Sequence, residues 1–301
     1  MAKIAFVFAG QGAQTTGMGK ELYDKFDGVK KLYNLFEPIK DLCFNGTREE
    51  LDITVNTQPA LFLTDLAYAT ALKEKGIIAD GVAGFSLGEI PAAAYAELFN
   101  GVEAALKFVE FRAKAMQSCA EKNKGAMFAV LKLSAERVED ICGKLNRAYP
   151  VNYNSPMQTV VACAAETEEE LQNTVKASGG KAVKLKVSGA FHSPFMNKAA
   201  EETLCFLEQN PDLLKVNSST KIPLYSNMTA GVYSDTDAKT LLSGQINNPV
   251  LWKKTIENMV SDGFDTFIEV GPGKTLTGLI TKINPNVKIY DISTIEQQWR
   301  L

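Results

Sequence analysis

The run Gly84-Phe85-Ser86-Leu87-Gly88 has the residue types of a nucleophile elbow. A G-x-S-x-G turn between a strand and a helix is so sharp that the serine hydroxyl projects from the edge of a sheet. The preceding segment, Gly76 to Ala83, is short and apolar, as a parallel strand and its approach should be. The following segment, Leu87 to Leu98, is rich in alanine and predicts a helix that tolerates Pro91 in or near its first turn. We therefore predict that Ser86 is a nucleophile; the alternative is a serine in a glycine-rich turn without a chemical role.

A serine hydroxyl needs a general base, and the chain offers one histidine, His192. Glycine, serine and proline surround it in the segment 188–194, which is typical of a shaped loop at a strand end. The alternative is a lone histidine that is hydrogen-bonded in the core or exposed in a loop. The loop context favours the base, so we predict that Ser86 and His192 act together.

Composition excludes several classes of function. The net charge of −3 and the pI near 5.5 give no basic surface for nucleic acid or for an anionic membrane. The apolar stretch at the N-terminus is too short for a signal sequence, and no later run approaches the ~20 apolar residues of a membrane span. The five cysteines are scattered without a C-x-x-C pair, which indicates reduced thiols rather than disulfides or zinc. We expect a cytoplasmic protein without a metal centre.

The elements that must position these residues alternate between strand and helix. Residues 3–8 predict a strand, and Gln58–Lys75 and Val102–Glu121 predict helices, which together indicate an α/β architecture with a mostly parallel sheet. Between 125 and 189 the pattern becomes βαββαβ, which is ferredoxin-like. Its predicted elements are strand Ala126–Leu133, helix Ser134–Arg147, strands Val151–Asn154 and Thr159–Ala164, helix Thr167–Ser178 and strand Lys181–Val187.

These patterns predict two structural units. Residues 1–124 and 190–301 would form a large α/β-hydrolase-like domain, into which residues 125–189 insert as a small ferredoxin-like subdomain. Ser134 and Thr167 are the predicted N-caps of the two small-subdomain helices, and Glu170 stands at capping-box spacing from Thr167. Because His192 follows the insertion directly, we expect the active site in the cleft between the two units.

The order of the motifs argues against an esterase of the α/β-hydrolase fold. In that fold the histidine usually lies near the C-terminus, whereas 109 residues follow His192 in this 301-residue chain. A ferredoxin-like insertion is also foreign to that fold.

Further motifs extend along the chain. In order they are Gly10-Gln11-Gly12-Ala13-Gln14, Thr57-Gln58-Pro59-Ala60, the elbow followed by Glu89, Phe111-Arg112-Ala113 with Met116-Gln117, Asn152-Tyr153-Asn154-Ser155-Pro156, Gly189-Ala190-Phe191-His192-Ser193, Asn248-Pro249-Val250-Leu251-Trp252 and Glu269-Val270-Gly271-Pro272-Gly273. In type, order and spacing they resemble the malonyl-CoA:acyl carrier protein transacylase family, from the first strand to near the C-terminus.

The resemblance implies a mechanism with a malonyl-serine intermediate. Ser86 would attack the thioester of malonyl-CoA while His192 takes its proton, and the backbone N–H groups of Gln11 and Leu87 would form the oxyanion hole. The matching position for the main-chain carbonyl that orients the imidazole is Gln245. The thiol of a phosphopantetheine arm on acyl carrier protein would then take the malonyl group, which gives ping-pong kinetics.

The resemblance also implies the substrate. The guanidinium of Arg112 would hold the free malonyl carboxylate by two parallel hydrogen bonds, and Phe191 resembles the malonyl-preferring form of the family. The matching supporting residues are Gln58, Met116 and Asn154. The family needs no bound cofactor, and we expect a monomer whose partner is acyl carrier protein in fatty-acid synthesis.

Three alternatives stay open at this point. A thioester hydrolase and a polyketide-pathway acyltransferase could both use the same scaffold, and a non-catalytic homologue could bind the carrier protein. The chain departs from the family at Phe85, where a histidine is common, and in the stretch after Glu89. Phe85 could be packing under the elbow, or it could reshape the acyl pocket.

Overall fold

Two β-sheets organise the chain in the computed structural model, which describes residues 2–215, 220–233 and 238–291. The strands, in chain order, are β1 (Ile4–Phe8), β2 (Gly81–Gly84), β3 (Gly125–Leu131), β4 (Ala148–Ser155), β5 (Gln158–Ala164), β6 (Lys181–Lys184), β7 (Leu224–Tyr225), β8 (Thr266–Val270) and β9 (Lys288–Tyr290). One sheet is parallel, with the order β7-β2-β1-β8-β9, and the other is antiparallel, with the order β4-β5-β3-β6. This arrangement confirms the predicted α/β class.

Helices cover both sheets. In chain order they are α1 (Lys20–Lys25), α2 (Asp27–Asn34), α3 (Glu37–Asn45), α4 (Arg48–Leu51), α5 (Thr54–Glu74), α6 (Glu89–Tyr95), α7 (Val102–Lys122), α8 (Ala135–Cys142), α9 (Glu168–Ala177), α10 (Asn197–Gln209), α11 (Ala238–Gly244), α12 (Trp252–Ser261) and α13 (Thr275–Ile283). Among the described residues, no helix is both long and apolar enough to cross a membrane.

The parallel sheet brings two loops together at its carboxyl edge. Its strands β1, β2 and β8 are almost entirely buried, as expected for parallel strands that are covered on both faces. Phe8 at the end of β1 lies in register with Gly84 at the end of β2, and the N–H of Phe85 donates to the carbonyl of Phe8 over 3.0 Å. The loops that begin at Ala9 and Phe85 therefore emerge side by side, where ligands bind in open α/β sheets.

The antiparallel sheet has the predicted βαββαβ element order. One of its faces packs on α8 and α9, and the other packs on α7 and on the apolar residues that follow position 190. The boundaries 124/125 and 189/190 of the inserted subdomain stay a prediction. Of the predicted C-terminal segment 190–301, residues 216–219, 234–237 and 292–301 lie outside the described residues.

Two predicted helix ends and one predicted strand end were wrong. The helix after the elbow ends at Tyr95 rather than Leu98, because Glu97 adopts a left-handed φ of 62° that turns the chain. Helix α8 ends at Cys142 rather than Arg147, where Gly143 is the C-terminal cap. Strand β6 ends at Lys184 rather than Val187.

One of the two predicted caps was also wrong. The hydroxyl of Ser134 accepts from the N–H of Arg137 as expected. Thr167 makes no such bond, because it closes the 3₁₀ turn Ala165–Thr167 in helical conformation and its hydroxyl donates to the carbonyl of Asn146. A true capping box lies instead between Thr47 and Glu50 at the start of α4.

Candidate active site

The elbow at Ser86 is a strained turn between β2 and α6. Ser86 has a φ of 55° and opens the 3₁₀ turn Ser86–Gly88, which continues into α6. A Cβ on Gly84 would stand 1.9 Å from the carbonyl oxygen of Gly88, and one on Gly88 would stand 2.2 Å from that of Phe8. Only glycine fits at both positions, so the G-x-S-x-G pattern follows from the close approach of the backbone.

The predicted nucleophile and base are in direct contact. Ser86 Oγ lies 2.7 Å from His192 Nε2, and His192 Nδ1 lies 2.7 Å from the main-chain oxygen of Gln245. Since a carbonyl oxygen only accepts, Nδ1 carries the proton and Nε2 is left to accept from the serine hydroxyl. His192 also has a left-handed φ, of 59°, and its N–H donates to the carbonyl of Ile246 over 3.0 Å. The main chain thus fixes both the tautomer and the direction of the imidazole.

The surroundings keep the imidazole neutral. His192 is buried, and burial, together with the positive charge of Arg112, lowers its pKa to about 4. Hydrogen bonds from the imidazole to the main chain at Gln245 and Asn248 oppose this shift. At neutral pH the ring can therefore accept a proton from the hydroxyl, as a general base must.

A cavity of about 260 Å³ opens above the hydroxyl, and both sheets line it. The parallel side contributes Gln11 and Ser86, and the antiparallel side contributes apolar side chains and Asn154, whose Oδ1 is buried without a protein partner. Phe191 and Met116 also line it. Ser86 and His192 are both among the residues that line this cavity.

Arg112 lies outside the lining of this cavity and is fully buried. Its Nη1 donates to Gln58 Oε1 over 2.7 Å, and its Nη2 donates to Gln245 Oε1 over 2.8 Å. Gln58 in turn contacts Met116 Sδ through its Nε2 at 3.5 Å. Arg112 and Met116 share a face of α7 because they are four residues apart. Arg112, Gln58, Gln245 and Met116 form what we call the arginine cluster.

In the part of the chain that the structure describes, no neighbour directly neutralises the charge of Arg112. Within the described residues no carboxylate forms an ion pair with it, and its Nε has no protein acceptor. Burial lowers its pKa to about 10, so the guanidinium stays cationic at neutral pH. Glu89 is the nearby acid, but burial raises its pKa to about 8. At pH 7 the arginine cluster therefore carries a buried positive charge.

Gln245 joins the arginine cluster to the reactive pair. Its main-chain oxygen faces His192 Nδ1, its Oε1 accepts from Arg112, and its Nε2 points at the carbonyl oxygen of Ser86 at 3.4 Å. Because one residue contacts all three, Gln245 links the position of the guanidinium to that of the reactive pair.

Two backbone N–H groups, those of Gln11 and Leu87, are the predicted donors of the oxyanion hole. Gln11 lies in the loop after β1, and Leu87 follows Ser86 in the elbow. Among the described residues neither N–H donates to a protein acceptor. Free donors of this kind are what an oxyanion hole requires.

Sequence reasoning missed Asn227 and Tyr233, and it named Glu89 only as part of a motif. Asn227 bonds to the N–H of Ser86, and Tyr233 donates to Glu89. Asn227 lies 141 positions from Ser86, so no local spacing signals the contact. The described residues contain no group of three or more histidine, cysteine, aspartate or glutamate side chains that could hold a metal ion.

Comparison with known proteins places the chain among acyltransferases. Residues 5–289 match the acyl transferase domain family. The chain is 37% identical to the malonyl CoA-acyl carrier protein transacylase of Bacillus subtilis, over 98% of this chain and 95% of that protein. It superposes on the crystal structure of the transacylase of that name from Clostridium perfringens with a TM-score of 0.92 and 36% identity, over 99% and 96% of the two chains. A malonyl-transacylase solved in complex with a type II PKS acyl-carrier protein gives a TM-score of 0.89 and 30% identity, over 96% and 95%.

Proposed function

The chain belongs to the acyl transferase family, and from this premise we propose that it transfers the malonyl group of malonyl-CoA to the phosphopantetheine thiol of acyl carrier protein. The observation that carries the proposal is the contact between Ser86 and a neutral His192, which Gln245 links to the buried cation of Arg112. A nucleophile with its base favours acyl transfer, and the cation favours an acyl group with a free carboxylate.

In the first half-reaction Ser86 Oγ bonds to the thioester carbonyl carbon while its proton passes to His192 Nε2. The carbonyl oxygen becomes an oxyanion, for which the N–H groups of Gln11 and Leu87 are the proposed donors; each such donor lowers a barrier by about 3 kcal/mol in comparable enzymes. The C–S bond then breaks, and the CoA sulfur leaves with the proton from His192. The product is a malonyl ester of Ser86.

The second half-reaction reverses these roles with a different thiol. The carrier's phosphopantetheine sulfur bonds to the ester carbon as its proton passes to His192 Nε2, and Ser86 leaves and recovers that proton. The two thiols use the same cavity in turn, which predicts ping-pong kinetics.

Arg112 is the proposed site of the malonyl carboxylate. A guanidinium has five N–H donors, and the two glutamines of the arginine cluster occupy two of them. The remaining donors include Nε–H, which has no protein acceptor and is the proposed donor to the carboxylate. An acetyl group would leave the buried cation unpaired, and the difference selects for a dicarboxylic acyl group by roughly 2–5 kcal/mol.

We keep four further points as proposals. A single chain supplies every proposed site residue, which supports a monomer as the active unit, and size-exclusion chromatography with light scattering tests it. The chemistry uses side chains and main chain alone, so no bound cofactor is proposed. The proposed partner is the acyl carrier protein of fatty-acid synthesis. Malonyl transfer to that carrier and to a polyketide carrier protein would be compared to test this. The proposed location is the cytoplasm.

The experiment that tests the function is intact-mass measurement after incubation with malonyl-CoA alone. We expect a malonyl increment on the wild type, none on Ser86→Ala and a much smaller one on Arg112→Ala. Addition of carrier protein should discharge the increment and load the carrier. Free malonate without a loaded carrier would identify a hydrolase instead, and neither adduct nor malonate would contradict the proposal.

A further inference from the structure

We propose that Asn227 is a positioning residue that holds the nucleophile elbow in its reactive shape. Asn227 is buried in the loop after β7, and nothing in its own sequence neighbourhood points to the active site. The inference deepens the proposed function, because it concerns how Ser86 is presented for acylation.

The side chain of Asn227 bridges the two sides of the elbow. Its Oδ1 accepts from the N–H of Ser86 over 2.7 Å, and its Nδ2 donates to the carbonyl of Gly84 over 2.6 Å. One amide thus binds the last residue of β2 and the nucleophile, two positions apart. Without Asn227 the N–H of Ser86 would have no protein acceptor among the described residues, since the left-handed conformation takes it out of both the strand and the helix.

Asn227 is in turn held by the helix that follows the elbow. Its N–H donates to Glu89 Oε2 over 3.3 Å, and Tyr233 donates to Glu89 Oε1 over 2.5 Å. The carbonyl of Asn227 accepts from the N–H of Leu251 over 2.9 Å. Since Glu89 is three residues after Ser86, these bonds close a ring that contains β2, the elbow, the first turn of α6 and the loop at Asn227.

This ring explains how the strain at Ser86 persists. A non-glycine residue is sterically strained in the left-handed conformation, and such strain persists only where surrounding contacts over-determine the conformation. Without the bridge the elbow could relax toward a less strained φ, which would turn Oγ away from His192. Displacements of about 1 Å at a reacting atom can reduce rates by about 10²-fold.

Two substitutions separate positioning from a general structural role. Asn227→Ala removes both bonds to the elbow, whereas Asn227→Asp keeps an oxygen acceptor for the Ser86 N–H. Ser226→Ala is the matched control, because Ser226 is the buried neighbour whose hydroxyl accepts from the N–H groups of Met228 and Thr229 and, among the described residues, makes no hydrogen bond to the elbow. Folded fractions are determined by thermal unfolding, and all rates are expressed per folded enzyme.

The readouts are single-turnover acylation by malonyl-CoA and sulfonylation of Ser86 by phenylmethylsulfonyl fluoride. The second reaction forms an Oγ–S bond, expels fluoride and needs no carboxylate, so it reports on the elbow even if malonyl-CoA is not the substrate. We expect Asn227→Ala to lower both rates by about 10²-fold, with the KM for malonyl-CoA nearly unchanged. Asn227→Asp should retain more of both rates than Asn227→Ala, and Ser226→Ala should match the wild type.

The proposal is overturned if Asn227→Ala reacts with both reagents within threefold of the wild type, or if Ser226→Ala loses as much as Asn227→Ala. If Asn227→Ala does not fold, the two rates of Asn227→Asp test the proposal. If neither variant folds, Asn227 is required for folding only and the proposal is overturned. A wild type that is sulfonylated at Ser86 but not acylated by malonyl-CoA would contradict the proposed function and leave this inference standing.

Discussion

The reactive pair and the arginine cluster lie side by side, but they are held in different ways. Ser86 and His192 both have left-handed backbone conformations, and main-chain atoms at Gln245 and Ile246 orient the imidazole. Arg112 and Gln58 lie on helices α7 and α5, and within the described residues the hydrogen-bond acceptors of the guanidinium are two side-chain amides.

This difference predicts that substitutions in the two regions have different effects on catalysis. The backbone conformation leaves the reactive pair few ways to adapt. Substitutions in the pair should therefore abolish nearly all transfer activity for every acyl group. Side-chain amides can rearrange. Substitutions in the arginine cluster should therefore lower the transfer rate only in part, and the loss should depend on whether the acyl group carries a carboxylate. The predictions below test this contrast from the largest expected effect to the smallest.

Removal of the nucleophile should have the largest effect. Ser86→Ala is expected to lower the transfer rate by about 10⁴-fold or more for malonyl-CoA and acetyl-CoA alike, because no covalent intermediate can form. Ser86→Gly should be equally inactive but about 1 kcal/mol more stable than Ser86→Ala, since glycine adopts the left-handed φ of 55° without strain. Turnover assays and chemical denaturation measure the two effects; equal stability of the two variants would mean that the elbow is not strained.

Removal of the cation should come next and should depend on the substrate. Arg112→Met is expected to lower malonyl transfer by about 10²- to 10³-fold, because the carboxylate would enter a buried site without its partner. Acetyl transfer should be unchanged or should rise, since acetyl has no charge to pair. The measurement is the ratio of kcat/KM for the two thioesters. Equal losses for both would mean that Arg112 supports Ser86 and His192 rather than binding the carboxylate.

The two glutamines of the arginine cluster provide a finer comparison. Gln58→Met removes one bond to Arg112 and is expected to lower malonyl transfer by about 10-fold, since a hydrogen bond to a charged group contributes about 1.5–3 kcal/mol. Gln245→Met removes the matching bond and also the contact with the Ser86 carbonyl, while its main-chain oxygen remains for His192. It should therefore also slow acetyl transfer. If both variants affect only malonyl transfer, the side chain of Gln245 does not link the two regions.

Residue types with a diagnostic chemistry could be read from the sequence, and contacts between distant segments could not. The elbow glycines and the single histidine constrain the chemistry directly, and the structure brings Ser86 and His192 into contact. Helix ends were less predictable, because a tertiary turn at Glu97 or an alternative bond at Thr167 overrode the local pattern. The contact of Asn227 with Ser86 could not be predicted from the sequence, since it depends entirely on where the fold places Asn227.

The smallest effect is expected on the pH dependence of kcat/KM. This dependence reports the electrostatic effect of Arg112 on His192. The active form of His192 is neutral, and since its pKa is lowered to about 4, kcat/KM should stay level as the pH falls through 6.5 and decline only near pH 4–5. Arg112 is one cause of that lowered pKa, so Arg112→Met should move the decline to higher pH. The unfolded chain takes up its histidine proton near pH 6.5, so the folded state should also lose stability as the pH falls from there toward 4. With one histidine in the chain, a single imidazole NMR signal reports the titration, and a decline near pH 6.5 in the wild type would mean that His192 is solvated rather than buried.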